Sequence, residues 1–148
     1  MNVGEGAEIL VNPEGFDEAP ADLLTRAGLH VLADAGVGDA EISVTLLDDD
    51  AMIRLNRTYL ERDGVTDVIA FSLGEAGGAV LGDVYVGADQ AARQAKDAGQ
   101  EWATELVRLV IHGVLHVLGH EHPEGPERLN SPMFATQERL VSEVLATG

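Results

Sequence analysis

Apolar side chains recur along this chain with two different periods. In EISVTLL, residues 41–47, apolar and polar positions alternate and β-branched residues are frequent, the pattern of a half-buried strand. AEILVN at 7–12 reads as a shorter strand and DVIAFSL at 67–73 as a third. AVLGDVYVG at 79–87 reads as a fourth, returning beside the third after a GEAGG turn. Elsewhere the period is that of a helix. Residues 20–35 carry Leu23, Leu24, Ala27, Val31 and Leu32 at helical spacing, and Gly36 and Gly38 close the segment. Asp48, Asp49 and Asp50 offer an N-cap for a helix through about Tyr59, with Met52, Ile53 and Leu55 apolar. Residues 88–98 form a polar, Ala-rich helix that Gly99 stops. Residues 102–118 form the most apolar one, through Trp102, Leu106, Leu109, Val110, Val114 and Val117. A last helix over 133–146 follows the loop PEGPERLNSP. Strands come early and helices late, with helices also interspersed, which predicts an α+β fold. No repeat or linker splits the chain, so one domain over residues 1–148 is expected.

Composition narrows the setting. The absence of cysteine excludes disulfides and thiolate metal sites. MNVGEGAEIL lacks a basic n-region and a long apolar core, and no apolar run approaches the length of a membrane helix. A cytoplasmic protein without membrane contact is expected. The formal charge is −17, from 26 acids against 9 bases. Such a surface repels phosphate, which argues against DNA or general nucleic-acid binding unless a local basic patch overrides it. It also suits a cell of high internal salt, where repulsion is screened.

The chemistry concentrates in HGVLHVLGHEH, residues 112–122, which holds four of the five histidines. His112 and His116 lie four apart in the predicted helix, so both imidazoles share one face. Leu118 and Gly119 end that helix, and glycine permits the left-handed turn that returns His122 toward the first two. Three neutral imidazoles with an open fourth position are a zinc arrangement suited to catalysis. A bound water there would have its pKa brought to about 7. A structural zinc is less expected, since such sites are usually closed by four protein ligands. His120 sits in the tight turn and is read as an outer or solvent-facing group, and His30 as a packing or surface histidine. The spacing H-x-x-x-H-x-x-G-x-x-H is that of the extended zinc-protease motif, but Gly113 stands where those enzymes carry a glutamate base. Glycine in a helix interior costs about 1 kcal/mol against alanine, so its presence implies close packing. Glu121 is a possible replacement acid or base, though a solvated turn residue is the more ordinary reading. A phosphodiester substrate makes a protein base dispensable, because its own oxygen can bind the metal.

HGVLHVLGHEH resembles the signature of the YbeY family of single-strand-specific endoribonucleases, H-G-x-L-H-L-x-G-H/Y-D-H. The resemblance extends to LNRTYLERDGVTDVIAFSL at 55–73, LGDVYV at 81–86 and MFATQERL at 133–140. It implies one zinc ion held by His112, His116 and His122, and a four-stranded mixed sheet flanked by helices, with the zinc-binding helix near the C-terminus. It implies cleavage of single-stranded ribosomal RNA, notably in maturing the 3′ end of the small-subunit RNA, and ribosome quality control. Partners would be the ribosome or its assembly factors. Three departures stand out. Leu60 occupies the position of a family arginine associated with RNA phosphate or catalysis; Arg62, by a loop shift, and Arg57 are the candidates to hold the RNA instead. Arg54, Arg57 and Arg62 form the densest basic cluster in the chain, favouring a local phosphate site over a solvated basic face. Glu121 replaces the family aspartate, and Val65 and Ala70 replace a proline and a serine around Thr66 and Asp67, whose ordinary role would be to cap the strand. The rival readings are a metalloprotease or other metal-dependent hydrolase, and a non-enzymatic ribosome-assembly factor with structural zinc.

Overall fold

The computed structural model describes residues 6–60, 64, 66–121 and 125–147. Among the described residues, four strands and five α-helices follow one another: β1 (Gly6–Asn12), α1 (Ala21–Asp34), β2 (Asp39–Leu47), α2 (Asp49–Tyr59), β3 (Val68–Ala76), β4 (Ala79–Gly87), α3 (Ala88–Ala98), α4 (Trp102–Val117) and α5 (Pro132–Ala146). The sheet order is β1-β2-β4-β3. β1, β2 and β4 run parallel, and β3 pairs antiparallel with β4. The expected α+β class with a mixed four-stranded sheet is therefore present. Among the described residues, no helix is long and apolar enough to cross a membrane.

Most element ends stay within one residue of the periodicity, β2 starts two residues earlier at Asp39, and β3 differs most. β3 runs to Ala76 instead of ending at residue 73, and the turn shrinks to Gly77 and Gly78, both at positive φ. That backbone suits the twist of a two-residue hairpin. The register slips between Ser72 and Gly74, a bulge that leaves Leu73 without a partner on β4. Cross-strand pairing, which the alternation of one strand does not reveal, sets the longer span. The loop before the last helix contains a short 3-10 helix, Gly125–Asn130. α4 ends at Val117, with Leu118 as its cap.

The strand alternation faces one layer of helices. Ala7, Ile9, Ala40, Ile42, Val44, Leu46, Val84 and Val86 are all buried. The register lines them up across the sheet, with Val11, Val44, Val84 and Ala70 in one row. α4 lies over this face and is the spine of the core. Ten of its sixteen residues are buried, among them Leu106, Ile111 and Leu115. Burying each such side chain contributes roughly 1.5–3 kcal/mol. α2 packs on the sheet's other face through Met52 and an edge-on run of rings, Tyr59, Phe71 and Tyr85. Its N-cap is Asp48, whose carboxylate accepts from the Ala51 amide at 2.8 Å.

Two polar clamps set the helices that border the site. Arg93 on α3 grips both oxygens of Asp49 on α2, at 2.9 and 2.8 Å. The Arg93 hydrogen bond is the largest influence on Asp49; with the guanidinium charge it outweighs burial and lowers the Asp49 pKa. α5 is tied to α1 by Arg139 to Asp34 and by His30 to Glu143, at 3.0 and 2.8 Å. His30 is thus a half-exposed interhelical partner and does not line the cleft that holds His112 and His116.

Candidate metal centre

Helical spacing makes the pair of histidines converge. His112 and His116 occupy successive turns of α4 on a half-buried stripe of an otherwise buried helix. Their Nε2 atoms are 3.0 Å apart, with the ring planes at 75°. Two imidazoles sharing one tetrahedral zinc at bond lengths of about 2.0–2.1 Å would place these nitrogens about 3.3 Å apart. The pair fits that ion with little movement. Among the described residues no group of three or more His, Cys, Asp or Glu gathers around a common point. The expected third ligand, His122, lies outside the described residues.

α4 ends in a tight reversal. Gly119 has φ +96°, its amide donates to the His116 carbonyl at 2.9 Å, and the His120 amide reaches back to the Leu115 carbonyl at 3.0 Å. This paired closure caps the last carbonyls and reverses the chain. Only a residue without Cβ takes this backbone readily. His120 closes the cap through its backbone while its side chain is exposed, and Glu121 is exposed beside it.

Gly113 answers to packing. It is buried, and a Cβ built on it would run into Val84 Cγ1, with Val84 Cγ2 at 3.1 Å and Val68 Cγ2 at 3.3 Å. This position faces the sheet, where Val84 and Val68 leave no room for a side chain. A glutamate here would be driven into the core instead of standing over a metal-bound water.

On the solvent side, His112 and His116 open into a cleft of about 490 Å³ between α4, the start of β3 and the start of α5. Thr66, Asp67 and Val68 form one wall; Arg128, Ser131, Met133 and Phe134 form another. Thr66 and Asp67 reach the site, and it is the Asp67 carbonyl, at 2.8 Å from the Gly87 amide, that secures the strand's start. Arg57 stands exposed on the last turn of α2 and is not among the residues lining the cleft. Arg62 lies outside the described residues. Leu60 caps α2 and is partly exposed.

Behind His112 runs a set of polar contacts that the motif did not announce. Its Nδ1 lies 2.6 Å from Gln137 Oε1 on α5. Gln137 Nε2 donates to Glu138 Oε2 at 3.0 Å. Arg108 forks onto Glu138, with Nε to Oε2 at 2.9 Å and Nη2 to Oε1 at 3.1 Å. Its Nη1 reaches Glu105 Oε1 at 2.6 Å, and Glu105 Oε2 accepts from Gln94 Nε2 at 2.8 Å. Burial opposes ionisation of Glu138, but the hydrogen bonds from Arg108 and Gln137, with the charge of Arg108, together outweigh it and lower its pKa. Burial likewise opposes the charge on Arg108, and Glu138 and Glu105 more than restore it. Part of this was visible in the sequence. Glu105, Arg108, His112 and His116 recur at spacings of three and four, a polar stripe along an apolar helix. Nothing in the spacing shows that Gln137 and Glu138 meet it.

Comparison with known proteins shows the family. The family model described as Endoribonuclease YbeY matches residues 11–145. The chain is 38% identical to the Endoribonuclease YbeY of Syntrophotalea carbinolica over 138 residues, covering 90% of this chain and 92% of that protein. It is also 38% identical to the one from Salinispora tropica, covering 93% and 96%. The solution structure of TM1509 from Thermotoga maritima superposes with a TM-score of 0.64 at 28% identity, over 94% of this chain and 90% of that one. The family model and these relatives cover the chain from near one end to the other, and the protein belongs to the YbeY family of endoribonucleases.

Proposed function

We propose that this chain is a zinc-dependent endoribonuclease that cleaves single-stranded RNA, with ribosomal RNA, including the 3′ end of the small-subunit RNA, as its substrate. Ribosome quality control would be its setting, with the ribosome or its assembly factors as partners. The observation that carries the metal reading is the pair of Nε2 atoms converging at 3.0 Å at the wall of a solvent-open cleft. His112, His116 and His122 would hold the ion. Bound zinc supplies a Lewis acid for a phosphate oxygen and an acidified water. The chain's own groups bind and orient the RNA. Arg128 is the exposed cation on the cleft wall, and Arg57 and Arg62 would hold the strand beyond it. A local set of guanidiniums is what a chain of net charge −17 needs to receive a polyanion. Arg108 is committed to Glu138 and Glu105 and does not serve this role.

The orientation of Gly113 weighs against the peptidase reading, because that mechanism needs a base at this helix position. A phosphodiester brings its own charged oxygen to the metal and does not. The test is cleavage of single-stranded ribosomal RNA and of casein by the purified protein and by His116→Ala, with metal content read in each, at low and molar salt. Cleavage of RNA by the wild type, lost together with the metal in the variant, is expected. Casein cleavage would favour the protease, and a full metal site with no cleavage of either would favour the assembly factor.

A further inference from the structure

We infer that the contacts running from Arg108 through Glu138 to Gln137 fix the tautomer of His112, leaving its Nε2 bare to donate to a metal. The inference deepens the zinc reading above and rests on it for its functional meaning.

An ionised carboxylate only accepts. Arg108 faces both oxygens of Glu138, so Glu138 is held as a carboxylate turned toward α4. The group that Gln137 presents to Glu138 at 3.0 Å must therefore be its NH2. That leaves the amide oxygen at the other end, 2.6 Å from His112 Nδ1. An amide oxygen also only accepts, so Nδ1 carries the hydrogen. In a neutral imidazole the remaining nitrogen, Nε2, is then the bare one. It is also the nitrogen aimed at His116 Nε2. Gln137 is buried, so water does not compete for either end of its amide. Glu105, itself buried, and Gln100 hold Arg108 from behind, at 2.6 and 2.9 Å.

Gln137 and Glu138 are thus positioning residues. They act on the metal through His112, as outer partners of ligating histidines generally do. A plain interhelical clamp between α4 and α5 would use the same contacts, and the two readings part at Gln137. Gln137→Met removes the acceptor in a similar volume. Gln137→Glu keeps an acceptor at Nδ1 but sets a second carboxylate beside Glu138. Tautomer control ranks the metal affinities wild type and Gln137→Glu above Gln137→Met. A clamp ranks Gln137→Glu lowest, because like charges meet there.

The experiment has two readouts. The first is the nitrogen-15 spectrum of the histidine rings in the metal-free protein, which reports directly which ring nitrogen carries the hydrogen. The second is zinc affinity by competition with a chromogenic chelator, with circular dichroism to verify folding. The expected results are an Nδ1–H signature for His112 in the wild type, its loss in Gln137→Met, and a zinc affinity weaker by roughly 10–100-fold in that variant. Glu138→Ala, which frees the amide to turn over, should also weaken binding. An Nε2–H signature for His112 in the wild type overturns the inference, and so does zinc affinity unchanged in a folded Gln137→Met. A wild type that shows the Nδ1–H signature yet takes up no zinc would refute the metal reading and leave the tautomer assignment standing.

Discussion

Replacing Gly113 by alanine should destabilise the protein, against the ordinary helix preference. In an exposed helix interior the change would gain about 1 kcal/mol. Here the new methyl meets Val84 Cγ1 well inside contact distance, with two further carbons at 3.1 and 3.3 Å. Val84 is fully buried and sits in a row between Val44 and Ala70. Its branched side chain has few other rotamers to adopt. Relief must come from moving α4 away from β4, and overpacking of this kind costs about 1–3 kcal/mol. The net expectation is a loss of about 1 kcal/mol, a fall of roughly 2–4 °C in Tm for a domain of this size. Urea unfolding with an unchanged slope measures it. The double variant sharpens the test. With Val84→Ala as background the methyl has room, so Gly113→Ala should then stabilise by about the helix-propensity gain. A stabilising Gly113→Ala in the native background would refute the claim that helix and sheet touch too closely here for a side chain. The same geometry predicts that Gly113→Glu yields a poorly folded protein and no peptidase.

Gly119→Ala places a Cβ at φ +96° and should cost about 1–2 kcal/mol in unfolding free energy. It should also weaken zinc binding measured by chelator competition if His122, just past this turn, is the third ligand as proposed. Removing metal with a chelator should leave far-ultraviolet circular dichroism nearly unchanged, because α4 is held by its buried face and not by the ion; unfolding on chelation would favour a structural zinc. The Asp49–Arg93 pair should make the wild type lose more stability in acid than Asp49→Asn. The Asp49 pKa lies below its ordinary value of 3.8, so its contribution is present above that pH and disappears as pH falls through the folded value. The pair is exposed and screened by solvent, so the gap is small; parallel urea titrations from about pH 5 to about pH 2 should show the two curves converging.

Local chemistry determined a large part of this molecule. Residues 79–87 and 88–98 form their strand and helix at the limits that alternation and helical spacing indicate. Asp48 caps α2 and Gly119 turns the end of α4, since each effect is decided within a few residues of the chain. The histidine pair was legible for the same reason: a spacing of four on a helix puts two imidazoles side by side whatever surrounds them. Gly113 implied close packing before any partner was known.

What surrounds them was decided by tertiary structure. The strand order, with β4 between β2 and β3, and the extension of β3 past its bulge depend on pairing between segments far apart in sequence. The partner that Gly113 makes room for, Val84, comes from another layer. The spacing of Arg108 shows no partner beyond its own helix, yet α5 brings it Glu138, and with Glu138 comes Gln137 onto His112. A side chain's spacing fixes the direction in which it points. Which group it meets depends on how helices and sheet pack, because that burial excludes water and lets one donor and one acceptor outcompete all others.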